Sequence, residues 1–123
     1  MTDRKRFSHA ILIVEDDPLL RLLTVDIVES AGFVALSADN ADEAVAILEA
    51  RSDIALLLTD INMPGSMDGL KLAHAVRNRW PPIKIIVVSS RVPKSDLPMG
   101  SRFFTKPYHA EKLISEIQSL IAA

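Results

Sequence analysis

Three almost uninterrupted apolar runs constrain the fold of this chain more than any other feature. They span residues 10–14 (AILIV), 54–59 (IALLLT) and 83–89 (IKIIVVS), and each has the length of a β-strand. A strand covered on one face alternates between apolar and polar residues, whereas a strand covered on both faces is apolar nearly throughout. The runs therefore predict parallel strands that are buried beneath helices on both sides of a sheet.

Segments with helical periodicity lie between these runs. Asp17 and Pro18 suit the first turn of a helix, and Gly32 suits its end. Asn40 and Glu43 resemble a capping box that opens a second helix. The predicted helices span residues 18–31, 40–50 and 68–79, and two further strands are predicted at residues 33–37 and 101–105.

The remaining segments predict one regular helix and one irregular connection. An apolar stripe with helical spacing marks the last helix: Leu113, Ile114, Ile117, Leu120 and Ile121. Residues 91–100 contain two prolines and a glycine, so we expect a shortened or irregular fourth helix there. Alternating strands and helices then predict an α/β fold: an open, doubly wound, five-stranded parallel sheet in the flavodoxin-like order 2-1-3-4-5, with helices on both faces.

Composition excludes several classes of function. The 14 Lys and Arg residues against 16 Asp and Glu give a formal net charge of -2, without the basic surface that nucleic-acid binding requires. No apolar run approaches the ~20 residues of a membrane span, and the absence of cysteine suits a reducing compartment. We expect a cytoplasmic protein that binds neither nucleic acid nor membranes, with residues 1–9 as a flexible tail and residues 10–123 as one domain.

Polar residues follow the predicted strands at their carboxyl ends, where an open parallel sheet places its sites. Glu15 and Asp16 follow the first strand, Asp60 follows the third, Ser89 ends the fourth and Lys106 follows the fifth. Three carboxylates brought together repel one another, and a hard divalent cation with oxygen ligands relieves that repulsion. Because no set of imidazole or thiolate ligands for zinc is present, we expect Mg2+, for which Mn2+ can substitute.

This set of residues suits the transfer of a phosphoryl group. A carboxylate beside a divalent cation, an ammonium group and a hydroxyl can act as the nucleophile, so Asp60 is the candidate acceptor. Ser89 and Lys106 are candidates to donate to the phosphoryl oxygens. The structural alternatives are that Asp60 caps the following turn and that Ser89 bonds to backbone, and for Asp17 a capping role is preferred to metal binding.

Four motifs carry a resemblance to a known family. They are ILIVEDDP at residues 11–18, LLLTDINMPGSMDGL at 56–70, IIVVSS at 85–90 and FFTKPY at 103–108. Together they resemble the receiver domain family of two-component signalling, over essentially the whole chain. The resemblance implies that Asp60 is the phosphoacceptor. It also implies a metal site formed by the acidic pair Glu15 and Asp16, of which Asp16 is the direct ligand, together with Asp60 and the backbone carbonyl of Asn62.

The resemblance also implies a conformational switch and a peptide isomer. Ser89 and Phe103 stand where relatives have the switch pair, although Phe103 alone also reads as a core residue. The Lys106–Pro107 peptide bond is cis in the family, an isomer found in about 5–6% of X-Pro bonds. The loop at residues 63–68 is one residue longer than the usual pattern, and the interval from Ser89 to Lys106 is shorter than in most relatives. Many relatives dimerise through the face formed by the fourth helix, the fifth strand and the fifth helix, and the short interval means that this dimer does not carry over. We expect a monomer or weak dimer.

The first helix offers a candidate docking patch. One arc should face the sheet: Leu20, Leu23, Thr24, Ile27, Val28 and Ala31. Leu19, Leu22 and Val25 then lie at or beyond the border of this arc and should be partly exposed. Such residues suit the docking of a phosphohistidine donor, as in relatives, although single surface leucines need no explanation.

The expected partners are therefore a sensor histidine kinase or a histidine phosphotransfer protein, and a downstream protein target of unknown identity. We expect a stand-alone receiver that catalyses only its own phosphorylation and dephosphorylation and is not otherwise an enzyme. Two other functions stay open: a magnesium-dependent phosphohydrolase that uses Asp60 as its nucleophile, and an interaction module that has lost the chemistry. Asn62 and Arg91 occupy positions that tune the phosphoryl lifetime in relatives, and the sequence does not predict that lifetime.

Overall fold

The computed structural model describes residues 9–63, 67–93 and 96–122. Of the tail predicted at residues 1–9, only His9 lies within the described residues. The elements are, in chain order, β1 (Ala10–Val14), α1 (Pro18–Ser30), β2 (Val34–Ala38), α2 (Ala41–Ala50), β3 (Ile54–Asp60), α3 (Gly69–Arg79), β4 (Lys84–Ser89), β5 (Arg102–Thr105) and α4 (Ala110–Ala122).

The five strands form one parallel sheet in the order β2-β1-β3-β4-β5, which confirms the prediction. Asp60 pairs in register with Val88, and Ser89 pairs with Thr105. The pairing extends one residue further, since the N–H of Lys106 donates to the carbonyl of Ser89 at 2.8 Å. The carboxyl ends of β3, β4 and β5 are thereby held at one edge of the sheet.

Two apolar cores cover the two faces of the sheet. Alternate residues of a strand point to opposite faces, so Leu12 joins one core and Ile13 joins the other. The core with Leu12 contains buried residues of α2 and α3, and the core with Ile13 contains Val28 of α1 and Leu113 of α4. The arrangement is the expected doubly wound one, with two helices on each face.

Caps at the helix starts follow the sequence signals closely. The Asp17 carboxylate accepts hydrogen bonds from the N–H groups of Leu19 at 3.0 Å and Leu20 at 3.3 Å. At α2, Asn40 accepts from the N–H of Glu43 at 2.8 Å, and the Glu43 carboxylate accepts in return from the N–H of Asp39 at 2.8 Å. The return bond of the predicted capping box is thus displaced by one residue toward the amino terminus.

The connection from β4 to β5 contains no helix in its described residues, 90–93 and 96–101. Side chains of α3 hold this connection instead. Arg77 donates to the carbonyls of Met99 at 3.0 Å and Ile83 at 3.1 Å, and a ring nitrogen of His74 lies 2.9 Å from the carbonyl of Asp96. Two described residues of this connection, Asp96 and Met99, are therefore hydrogen-bonded to α3 through their carbonyls.

Among the described residues, the helices are too short and too polar to cross a lipid bilayer.

Candidate functional site

Lys106 bridges two buried carboxylates at the carboxyl edge of the sheet. Its Nζ donates to Oε1 of Glu15 at 3.0 Å and to Oδ2 of Asp60 at 2.9 Å. The side chains of Glu15 and Asp60 are only 6% and 8% exposed, and that of Lys106 is 21% exposed. Residues separated by 91 and 46 positions thus meet where β1, β3 and β5 end.

Asp16 adds a third carboxylate to this site. One carboxylate oxygen from each of Glu15, Asp16 and Asp60 lies within 4.8 Å of the others. In the part of the chain that the structure describes, Lys106 is the only cation paired with Glu15 or Asp60. Three carboxylates facing one ammonium group call for two more positive charges, and an all-oxygen donor set suits Mg2+ or Mn2+. The residues therefore fit the divalent cation that the sequence predicts.

The pKa values of Glu15 and Lys106 reflect this crowding. Burial raises the pKa of Glu15 above its ordinary value, the negative charge of Asp60 adds to the rise, and hydrogen bonds from the Asp17 N–H and from Lys106 oppose it. Burial acts to lower the pKa of Lys106, but the hydrogen bonds to Asp60 and Glu15 and the negative charges of these carboxylates together leave that pKa raised. Lys106 consequently remains a cation at neutral pH.

Ser89 and Asn62 line a cavity of about 390 Å³ beside this cluster, together with Arg91. Ser89 is 2% exposed, and its hydroxyl oxygen accepts from the N–H of Arg91 at 3.3 Å, which leaves the O–H free to donate. The N–H of Asn62 donates to Oδ1 of Asp60 at 3.4 Å. Metal binding by the Asn62 carbonyl stays a prediction.

The switch residue and the proline turn lie next along β5. The Lys106–Pro107 peptide bond is cis, the isomer that the resemblance implies. Phe103 is half-buried and packs against the core on the side of α2 and α3, while Phe104 packs on the opposite side. The switching role of Phe103 stays a prediction.

Two residues that shape the site, Gly69 and Arg21, were not predicted from the sequence. Gly69 approaches the backbone of Asp60 so closely that any side chain would collide with it, and its N–H donates to the carbonyl of Ile61 at 2.8 Å. A glycine at the first position of a helix, where most residues are better formers, was the available signal. Arg21 donates to the backbone carbonyl of Glu15 at 2.7 Å, and no sequence pattern indicated that contact.

The candidate docking patch on α1 differs in part from the prediction. Leu19 and Leu22 are 66% and 65% exposed, whereas Val25 is half-buried against the core. The prediction that Leu23 faces the sheet is wrong, because its side chain is 51% exposed. The fully buried residues of α1 are Thr24 and Val28. Leu23 instead borders an apolar groove of about 570 Å³ that residues of α1 share with Lys106, Pro107 and Tyr108.

This chain is similar in sequence to proteins of a known family. Residues 11–118 match the family model described as the response regulator receiver domain. The response regulator receiver protein CpdR of Brucella abortus is 35% identical over 118 residues, which cover 92% of this chain and 97% of CpdR. The nitrogen assimilation regulatory protein NtrX of Azorhizobium caulinodans is 32% identical over 87% of this chain, but the match covers 25% of NtrX.

Solved structures give the same result for the fold. The response regulator protein TrrA of Thermotoga maritima, determined in complex with Mg2+-BeF, has a TM-score of 0.82 at 27% identity and covers 91% of this chain and 98% of its own. A CheY-like receiver domain protein of Methanospirillum hungatei has a TM-score of 0.85 at 28% identity, with 93% and 94% covered.

Proposed function

This chain belongs to the response regulator receiver domain family, and from that premise we propose that Asp60 accepts a phosphoryl group from a sensor histidine kinase or a histidine phosphotransfer protein. The observation that carries the proposal is the position of Lys106, whose ammonium group contacts both Glu15 and Asp60. An ammonium held against a buried strand-end carboxylate balances negative charge at the place where a phosphoryl group would add more.

The transfer is a displacement at phosphorus. A carboxylate oxygen of Asp60 forms a bond to phosphorus while the phosphorus–nitrogen bond of the donor phosphohistidine breaks, and the electron pair of that bond stays on the imidazole. Lys106 and the O–H of Ser89 donate to oxygens of the phosphoryl group. Their part is to position the group and to neutralise its charge.

We propose that Mg2+ is the resident cation, with Mn2+ able to replace it. Glu15, Asp16 and Asp60 would hold it, with the Asn62 carbonyl, and when bound it would neutralise charge on the transferred group. Two observations support this cation: the three carboxylates of the cluster carry more negative charge than Lys106 balances, and the TrrA relative was determined in complex with Mg2+-BeF.

We further propose that phosphorylation changes the binding of a separate protein target or passes the phosphoryl group onward. Ser89 and Phe103 would form the switch, and the exposed Leu19 and Leu22 would contact the donor. On this view the protein acts in the cytoplasm, as a monomer or weak dimer without nucleic acid or membrane binding, and turns over no substrate beyond its own acyl phosphate.

Intact-mass analysis after incubation with acetyl phosphate and Mg2+ tests the proposal. The expected result is one phosphoryl adduct, absent without Mg2+ and absent in Asp60→Asn. Asp26→Asn, which changes an exposed carboxylate of α1, is the matched control and should keep the adduct. An adduct that persists in Asp60→Asn contradicts the assignment. Rapid turnover of phosphate esters would instead favour a phosphohydrolase. The absence of an adduct under every condition would favour an interaction module that has lost the chemistry.

A further inference from the structure

One side-chain hydrogen bond joins α1 to the turn that carries Lys106. Tyr108 Oη and Thr24 Oγ1 lie 2.8 Å apart, although the two residues are 84 positions apart in the chain. Thr24 also donates its hydroxyl to the carbonyl of Leu20 at 2.8 Å. Because a threonine hydroxyl has a single hydrogen, Thr24 accepts in its contact with Tyr108, and the phenol is the donor.

The surroundings of this bond hold it in one geometry. Thr24 is 2% exposed, and the half-buried ring of Tyr108 packs edge-on against Phe104 with the ring centres 6.4 Å apart. Burial raises the pKa of Tyr108 above its ordinary value, so the phenol keeps its proton at neutral pH. The donor is therefore present throughout the physiological range.

The turn that holds Lys106 is anchored on both sides. On the amino side, the backbone N–H of Lys106 donates to the carbonyl of Ser89 at 2.8 Å. On the carboxyl side, Pro107 has no N–H to donate, and the next side chain, Tyr108, makes the bond to Thr24. The two anchors tie the turn to β4 and to α1.

We propose that Tyr108 is a positioning residue for phosphoryl transfer, because its bond to Thr24 fixes the turn from which Lys106 reaches Glu15 and Asp60. The inference rests on the proposed function of Asp60 and assigns a role to a residue outside the acidic cluster. Loss of the phenolic hydroxyl should slow the transfer, since Lys106 neutralises charge on the transferred group. It should not weaken Mg2+ binding, since the ammonium group is not a metal ligand.

Two variants at the ends of the bond test this role kinetically. Tyr108→Phe keeps the ring but removes the donor, and Thr24→Val removes the acceptor at nearly constant volume. Each should lower the rate of adduct formation from acetyl phosphate at saturating Mg2+ about 5-fold, the size expected for one lost hydrogen bond. The double variant should be no slower than either single variant.

The conservative variant and the metal affinity separate positioning from a purely structural role. Thr24→Ser keeps the hydroxyl and should transfer at the wild-type rate, and all variants should bind Mg2+ with unchanged affinity. If the bond only stabilises the fold, Tyr108→Phe and Thr24→Val lower the melting temperature and leave the rate unchanged well below it. That result would overturn the proposal.

A measurement made without a phosphoryl donor and without Mg2+ distinguishes failure of this inference from failure of the proposed function. Nitrogen-15 NMR of the Lys106 ammonium group should show hydrogen exchange that is slow in the wild type and in Thr24→Ser, and faster in Tyr108→Phe and Thr24→Val. If the wild type takes no phosphoryl group, the proposed function fails, and the exchange rates still decide whether Tyr108 positions Lys106. Equal exchange in all four proteins would contradict the inference.

Discussion

A β-carbon built on Gly69 would lie 1.6 Å from the carbonyl oxygen of Asp60 and 2.9 Å from Oγ1 of Thr59. The start of α3 therefore touches the backbone of the candidate acceptor, and only a residue without a side chain fits between them. The N–H of Gly69 also donates to the carbonyl of Ile61, the residue after Asp60, so the start of α3 is bonded to the chain that leaves β3.

We predict that Gly69→Ala lowers the free energy of unfolding by about 3 kcal/mol, since the clash is with backbone that cannot rotate away. Helix propensity acts in the opposite direction, because alanine is favoured over glycine by about 1 kcal/mol in a helix interior. Ala46→Gly, at an exposed position of α2, measures the difference in helix propensity between alanine and glycine in the same protein. Urea unfolding of both variants checks the prediction, and a Gly69→Ala protein as stable as the wild type would contradict it.

Two neighbouring aspartates give a matched test of metal binding. Asp16 belongs to the carboxylate cluster, whereas Asp17 caps α1. Mg2+ at 100 times its dissociation constant should stabilise the wild type by about 2.7 kcal/mol. Asp16→Asn should abolish most of this gain, and Asp17→Ala should lose about 1 kcal/mol of cap stability but keep the gain. Thermal unfolding with Mg2+ and with EDTA measures both, and an equal response to Mg2+ in the two variants would refute the assignment.

Replacement of Lys106 should leave two buried carboxylates without their cation. Lys106→Met is expected to lower the free energy of unfolding in the absence of Mg2+ by about 2 kcal/mol, less than the ~3–5 kcal/mol of a fully buried pair, since Lys106 is 21% exposed. Lys112→Met changes an exposed lysine of α4 and should have little effect. A loss in Lys106→Met no larger than in Lys112→Met would show that the ion pairs contribute nothing to stability.

The destabilisation by Lys106→Met should also depend on pH. The folded-state pKa of Glu15 is raised above 4.5, so its stability contribution is complete below pH 4.5 and is lost as the pH rises through the folded pKa. Loss of Lys106 raises that pKa further, so the variant should fall further below the wild type as the pH rises from 4.5. Urea unfolding of both proteins at a series of pH values measures the difference, and a difference that shrinks as the pH rises would have the wrong sign. In the wild type the raised pKa of Lys106 means that its own contribution is lost only above pH 10.5.

The exposed leucines of α1 should matter to a protein donor and not to the fold. Leu22 is 65% exposed, so Leu22→Ala should change the free energy of unfolding by less than about 0.5 kcal/mol. Leu56→Ala, at a fully buried position of β3, should cost about 2–5 kcal/mol. Leu22→Ala should slow transfer from a phosphohistidine protein while acetyl phosphate reacts at the normal rate. If Leu22→Ala accepts the phosphoryl group from both donors at the wild-type rates, Leu22 is excluded from the docking patch.

The convergence of Glu15, Asp60 and Lys106 was predictable because it follows from topology alone. Apolar runs locate the strands, parallel strands end at one edge, and the polar residues at those ends must then meet. The strand order confirms this logic, and the observed distances of 3.0 and 2.9 Å show how closely the side chains approach.

Other features were not predictable from local patterns. The periodicity of α1 describes which residues share a face, but it does not set how far the helix rotates or how much of that face its neighbours cover. Leu23 was therefore assigned to the buried face, whereas it borders the groove beside Pro107. Gly69 likewise reads as a poor helix former until the distance to Asp60 is known.

By itself, the sequence determined the elements, their order and the residues at each strand end, because hydrophobic periodicity and caps act over a few neighbouring positions. Only the tertiary structure decided the bond between Thr24 and Tyr108, the clearance at Gly69 and the exposure of Leu23. These depend on distances between elements far apart in the chain, which are set by the packing of whole side chains against one another and leave no trace in any short stretch of residues.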